Sequence, residues 1–143
     1  MAEEPLTKYA MAFVDGQNLY QHAKAAFGHH HPNYDLIKLH KAVCAQKGWV
    51  ANLVRFYSGI PDPSESEMWS RYWSARLLGM KRAGIQATTR PLRYRKQDIE
   101  QPDGSIEVVT TPQEKGIDVR LALDIVSLAR KGQYNVAVIY SQD

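Results

Sequence analysis

Three aspartates occupy positions from which their carboxylates could act together. Asp15 directly follows the apolar run YAMAFV, which predicts a buried strand at 9–14. Asp118 lies in the first turn of a predicted helix, and Asp143 closes a second buried strand predicted at 134–143. In open α/β sheets, ligands bind beyond the carboxyl ends of the strands. If the sheet is parallel, we expect the three carboxylates to converge at one edge.

Convergence of carboxylates is costly unless a positive charge offsets it, because like charges at close range disfavour joint ionisation. A hard divalent cation such as Mg²⁺ takes oxygen ligands, activates water and neutralises charge on a phosphoryl group. Asn18 offers a neutral side chain on the same loop as Asp15, for the loop itself, a metal-bound water or a phosphate oxygen. Lys115, three residues before Asp118, could meet a phosphate near the positive helix end.

Each of these acids also has a plainer interpretation. Asp15 could form a turn before Gly16, and Asp118 could stabilise its helix through the macrodipole. Asp143 could be a loop residue. Asp124 follows Asp118 by six positions, which is about 600° of helix rotation and about 9 Å along the axis. It therefore faces another direction and is either a structural polar group or a ligand.

The elements that would position these residues alternate along the chain. Strands are predicted at 49–59 and 84–94, in addition to 9–14 and 134–143, and helices at 18–28, 33–48, 64–83 and 112–132. The turn QPDGS at 101–105 would join RPLRYRK and SIEVVT in a β-hairpin. This order predicts an α/β fold with a mostly parallel central sheet, helices on both faces and a small hairpin insertion.

Local signals mark the ends of the helices. Asn33 or Asp35 could cap the second helix, which Gly48 would end, and Ser64 with Glu67 fits a capping box for the third. The third helix carries Trp69, Tyr72, Trp73, Leu77 and Met80 at spacings near three and four, which indicates packing. The last helix presents Ile117, Leu121, Ile125 and Leu128 on one face, and Gly132 would stop it.

Length and composition indicate one domain of 143 residues with a net charge of +3. The sequence contains no run of 18 apolar residues, so we predict no membrane span. The single cysteine, Cys44, is expected to be a core thiol, and a reducing cytoplasm fits this composition best. Four cations lie in TRPLRYRK with no acid among them: Arg90, Arg93, Arg95 and Lys96. With Tyr94 they form either a surface that contacts RNA or a solvated edge hairpin whose charges prevent aggregation.

The segments FVDGQNLY, KGIDVRLALDIV and NVAVIYSQD together resemble the NYN domain family, a branch of the PIN-like nucleases. The resemblance covers nearly the whole chain in the family's motif order. It implies a PIN-like three-layer α/β fold, a Mg²⁺- or Mn²⁺-dependent acidic site and hydrolysis of RNA phosphodiesters. By position, Asp15, Asp118 and Asp143 would be the metal-binding acids, and Asn18 would be a supporting site residue.

The resemblance also implies what would follow residue 143. Family members usually continue past Ser-x-Asp with another Asp and a Phe, then a strand and a helix. We therefore expect residues 1–143 to form a single domain that lacks this C-terminal strand and helix. The strand left exposed would favour pairing with a second copy of the chain, giving a homodimer.

Two functions are consistent with these residues. The first is a metal-dependent ribonuclease, and the alternative is a non-catalytic RNA-binding domain that uses the same cleft and the basic hairpin. A phosphatase with an aspartyl nucleophile is disfavoured, because it would need a second Asp where Gln17 stands. Nucleotide-cofactor folds are disfavoured by the lack of a G-x-G-x-x-G or Walker-type loop.

Overall fold

The computed structural model of the chain describes residues 3–17, 19, 35–113 and 116–141. Within them lie six strands and three helices. In chain order these are β1 (Tyr9–Asp15), α1 (Leu36–Lys47), β2 (Val50–Ile60), α2 (Glu67–Arg82), β3 (Gln86–Pro91), β4 (Arg93–Glu100), β5 (Ile106–Gln113), α3 (Ile117–Arg130) and β6 (Val136–Tyr140).

Four strands form one parallel sheet in the order β3-β2-β1-β6, and β4 and β5 form a separate antiparallel hairpin. The chain runs outward from β1 through β2 to β3 and then crosses to the other side of β1 as β6. The strand order therefore reverses between β1 and β6, and such a switch point is where open α/β sheets bind ligands. The predicted α/β fold with a parallel sheet and a hairpin insertion is confirmed.

Helices cover both faces of the sheet, as predicted, because the buried strands are apolar on both sides. On one face, Val14 and Phe56 pack with Leu36 of α1 and with Trp73 and Met80 of α2. Three of the predicted α2 packing residues, Trp69, Tyr72 and Leu77, lie at the rim of this core. The opposite face packs strand residues against the predicted apolar face of α3, namely Met11, Phe13 and Tyr57 against Ile117, Leu121, Ile125 and Leu128.

Three of the predicted helix ends are confirmed and one is wrong. Gly132, at φ +69°, directly follows the C-cap Lys131 of α3, as predicted. The Asp35 carboxylate accepts hydrogen bonds from two backbone amides at the start of α1, and Gly48 ends that helix at φ +74°. Ser64 does not cap α2: the N-cap is Ser66, without a side-chain bond. The amide and hydroxyl of Ser64 instead donate to the Asp62 carboxylate at 2.8 and 2.6 Å. The local turn at Asp62 thus outcompetes the capping box.

The hairpin is longer than predicted and begins later. Arg90 and Pro91 belong to β3, which pairs with β2, and the amide of Leu92 still donates to the carbonyl of Ile60. Since β2 ends at Ile60, the chain beyond this point pairs with β5 instead. The predicted turn at 101–105 closes the hairpin, with Gly104 at φ +86°.

Several predictions fall on residues outside the described ranges. They include almost all of the helix predicted at 18–28 and the site residues Asn18, Lys115 and Asp143. Within the described ranges, no helix is long and apolar enough to cross a membrane. Cys44 is a buried core thiol, as predicted, and burial raises its pKa.

Candidate functional site

Asp15 is a buried carboxylate at the switch point of the sheet. It is the last residue of β1, which lies beside β6, and only 3% of its surface is exposed. Because strand side chains alternate, Asp15 shares a face with Met11 and Phe13, which pack against α3. The acid therefore lies at the carboxyl edge of the sheet, on the side that α3 covers.

The burial of Asp15 separates it from the turn-forming aspartates of this chain. Asp62 and Asp103 each accept bonds from the amide and hydroxyl of a serine two residues later, which lowers the pKa of both carboxyls. Both are exposed loop residues. The burial of Asp15 therefore distinguishes its position from that of these exposed turn-forming aspartates.

Gly16 allows the chain to leave β1 at this point. A Cβ built on it would lie 2.7 Å from Cε2 of Phe56, closer still to Cζ, and 3.1 Å from Cβ of Ser58. Phe56 and Ser58 are fully buried and have little room to move. The glycine that follows Asp15 is thus required by close packing on the α1/α2 face of the sheet.

Asp118 occupies the first turn of α3, as predicted, and its side chain is exposed. Its neighbour Ile117 is fully buried in the cluster that contains Phe13, so the start of α3 lies over the carboxyl half of β1. The N-cap is Gly116, which has no side chain to accept a hydrogen bond from the first amides of α3. A carboxylate in the first turn also stabilises such an uncapped helix end, so the macrodipole interpretation still holds beside the ligand one.

Arg90 lies on the same face of the sheet and reaches the start of α3. It pairs in register with Gly59 of β2, two residues after Tyr57. A Cβ built on Gly116 would lie 3.0 Å from an Arg90 guanidinium nitrogen, which shows how closely this side chain approaches the helix. Of the four predicted cations, Arg90 is the one on the sheet, on the α3 face that Asp15 shares.

The other three cations lie on the hairpin and do not share one face. In β4, Arg93 and Arg95 point to one side, whereas Lys96 and Tyr94 point to the other. The Tyr94 hydroxyl accepts the amide of Asp62 at 2.9 Å, which ties the hairpin to the loop after β2. All three cations are exposed, so they remain accessible to a polyanion.

Asp124 makes two interactions beneath α3. Its Oδ2 accepts the Tyr57 hydroxyl at 2.8 Å, and its Oδ1 accepts Nε of Arg120 at 3.1 Å. Burial and the neighbouring carboxylate raise the pKa of Tyr57, and Arg55 partly offsets this rise. The carboxylate is therefore occupied by a phenol and a guanidinium, which favours the structural interpretation of Asp124.

His40, a buried residue of α1, is hydrogen-bonded to Tyr140 at the end of β6, the strand that precedes Asp143 in the sequence. His40 Nε2 lies 2.7 Å from the carbonyl oxygen of Ala10, which can only accept, so this nitrogen carries the proton. Nδ1 then accepts the Tyr140 hydroxyl at 3.0 Å. Burial, with a smaller contribution from Cys44, raises the pKa of Tyr140 to about 12.

The structure describes two of the three predicted metal-binding acids, Asp15 and Asp118. Both would supply hard carboxylate oxygens, which are the donors that Mg²⁺ and Mn²⁺ prefer. Among the described residues, no group of three or more His, Cys, Asp or Glu side chains is arranged to hold a metal ion. A site that fits the ion would therefore also draw on residues outside the described ranges, where Asn18 and Asp143 lie.

The sequence did not reveal the roles of Tyr57, Arg120 and Gly16. In the sequence, Tyr57 is only one of several aromatic residues in a predicted strand, and its partner Asp124 is 67 positions away. No local pattern links the two. Gly16 offered a weak signal, since a glycine directly after a buried strand often marks a close backbone approach.

Comparisons with known proteins do not place the chain in a family. No protein-family model matches it, and no curated protein or solved structure is significantly similar to it.

Proposed function

We propose that the protein is a metal-dependent ribonuclease whose acidic site includes Asp15. The observation that carries this proposal is the position of Asp15, buried at the carboxyl end of β1 beside the switch point. Asp118 enters the same region of the sheet from α3. The resemblance of three segments to the NYN domain family supports the same reaction and the same two acids.

The proposed site holds Mg²⁺ or Mn²⁺ through Asp15, Asp118 and Asp143, with Asn18 in support. When bound, such an ion activates water and offsets the negative charge that develops on a phosphodiester. Asp15 supplies a carboxylate whose position is fixed by the sheet, because its strand is paired on both sides. The exposed carboxylate of Asp118 remains accessible to solvent and substrate.

Cations near this edge would bind the RNA backbone. Arg90 presents a guanidinium beside the start of α3, and arginine pairs with phosphate oxygens in a fork. Lys115 precedes that helix in the sequence. Arg93, Arg95 and Lys96 extend the positive charge along the hairpin, so a single strand could follow the hairpin toward the acids.

A non-catalytic RNA-binding domain remains the second candidate. The observation that favours it is the accessibility of the hairpin cations, which would bind RNA whatever happens at the acids. Such a protein would bind RNA with an affinity that falls steeply with salt and survives removal of metal. Both candidates place the protein in the cytoplasm, where RNA is available and a single cysteine stays reduced.

The proposal is tested by adding end-labelled single-stranded RNA to metal-free protein and then supplying Mg²⁺ or Mn²⁺. A ribonuclease cleaves only after the metal is added and stops on chelation with EDTA. Binding of the same RNA, measured by fluorescence anisotropy, separates the two candidates. RNA that is bound in both conditions but never cleaved would favour the binding domain.

A further inference from the structure

Tyr57 links the strand beside Asp15 to the helix that carries Asp118. It is the register partner of Asp15 on the adjacent parallel strand, and paired residues of parallel strands point to the same face. Its side chain is fully buried, and its hydroxyl donates to Asp124 of α3 at 2.8 Å. Tyr57, which lies directly beside Asp15, therefore also contacts the helix that carries Asp118.

This contact adds a directional constraint to the apolar packing of the helix. The apolar contacts of α3 hold it against the sheet but are not themselves directional. A hydrogen bond of 2.8 Å tolerates only small changes in distance and angle. Asp118 and Asp124 lie on one rigid helix, about 9 Å apart along its axis. Fixing Asp124 against Tyr57 thus also fixes Asp118 relative to β1 and β2.

The charges around Asp124 agree with an anchoring role. The Asp124 side chain is 16% exposed, and its two oxygens are engaged by Tyr57 and by Arg120. A phenylalanine at position 57 would fill nearly the same volume without the need for a carboxylate beneath the helix. The ion pair with Arg120 is half exposed and adds little stability, so the directional bond from Tyr57 is the contact that fixes Asp124.

We propose that Tyr57 is a positioning residue that holds α3 so that Asp118 faces the metal bound by Asp15, with Asp124 as its anchor and not a metal ligand. This inference rests on the proposed function, because it assumes that Asp15 and Asp118 share an ion. It adds a residue that does not touch the metal. Partners that orient metal ligands typically change metal affinity by about 10–100-fold when they are removed.

The test is a calorimetric titration of Mn²⁺ into the full chain and its variants. Tyr57→Phe is expected to weaken Mn²⁺ binding by about 10-fold or more, and Asp15→Asn to abolish it. Tyr94→Phe is the matched control. Its hydroxyl also takes part in a hydrogen bond, accepting from the Asp62 amide at 2.9 Å, but this bond joins the hairpin to the loop after β2 and not to α3. It should change affinity by no more than about twofold, against the 10-fold effect expected at position 57.

Two further variants change Asp124, the partner of Tyr57 on α3. They also keep the proposal testable if the Tyr57→Phe protein does not fold. Asp124→Asn keeps an oxygen that can accept the Tyr57 hydroxyl and should retain most of the affinity. Asp124→Ala removes the acceptor and should weaken Mn²⁺ binding as Tyr57→Phe does. If Asp124→Asn abolishes binding as Asp15→Asn does, Asp124 is a ligand and the anchoring role is wrong.

The remaining outcomes separate this inference from the proposed function. If Asp15→Asn abolishes Mn²⁺ binding and Tyr57→Phe binds as the parent does, the positioning role is wrong and the metal site stands. If the parent chain does not bind Mn²⁺, or if Asp15→Asn binds it equally well, the proposed metal site is wrong. The positioning role is then wrong with it.

Discussion

The ring of Phe56 occupies the space that a side chain at position 16 would fill, so Gly16 packs directly against this ring. Phe56 is itself fixed, because it is fully buried and stacks on Trp73 with ring centroids 5.9 Å apart. The residue after the candidate acid is therefore held from the opposite face of the sheet. Local packing on one face controls the position of a functional group on the other.

Replacing Gly16 with alanine should consequently disturb both stability and function. The added methyl group must displace a buried aromatic ring, and such overpacking typically costs about 1–3 kcal/mol. Urea unfolding measures this loss, and Mn²⁺ affinity should fall as Asp15 shifts. Gly79→Ala is the control: a Cβ there meets no atom within 4 Å, and alanine within a helix should stabilise the protein by about 1 kcal/mol. Equal stabilities of the two variants would contradict the packing argument.

The protein should lose stability at alkaline pH because of Tyr140. Its pKa is raised from 10.0 to about 12 in the folded chain, chiefly by burial, so the folded state retains a proton that the unfolded state releases. The stabilisation is complete below pH 10 and is lost as the pH rises through about 12. Urea unfolding at pH 8, 10 and 11.5 should show a fall in the free energy of unfolding. The fall should be smaller in Tyr140→Phe, and an equal fall in both proteins would assign it to other groups.

The exposed arginines of the hairpin should set the salt dependence of RNA binding. Replacing Arg93 and Arg95 with glutamine removes two cations, so the slope of log affinity against log salt should decrease by up to about 1.4 for single-stranded RNA. The matched control replaces Lys81 and Arg82, which are equally exposed but end α2. Because α2 leads into β3, these two residues lie at the opposite edge of the sheet. Equal effects of the two double variants would mean that the hairpin is not the RNA-binding surface.

The sequence predicted those parts of the structure that local patterns determine. Apolar runs marked β1, β2 and β6, and the alternation of strands with helices indicated a parallel sheet. Asp35 and Gly48 marked the ends of α1 because their effects depend only on nearby backbone. The capping box failed at Ser64 because Asp62, two residues earlier, offered its amide and hydroxyl a competing acceptor.

The candidate site was predictable only in part, for a physical reason. The position of Asp15 follows from strand direction alone, so the sequence located it at the carboxyl edge. The contacts of Arg90 with Gly116 and of Tyr57 with Asp124 join residues that are far apart in the chain. Such contacts depend on how α3 packs across the sheet, and no spacing within the sequence encodes them.

The most direct test of the central claim is cleavage of end-labelled single-stranded RNA in Mn²⁺ by the parent chain and by Asp15→Asn. Asp35→Asn serves as the control, because it removes an equal charge and asparagine also caps helices well. We predict that the parent and Asp35→Asn cleave the RNA and that Asp15→Asn does not, although Asp15→Asn folds and still binds RNA. Cleavage by Asp15→Asn at the parent rate would contradict the account, since the buried carboxylate at the switch point would then have no part in the reaction.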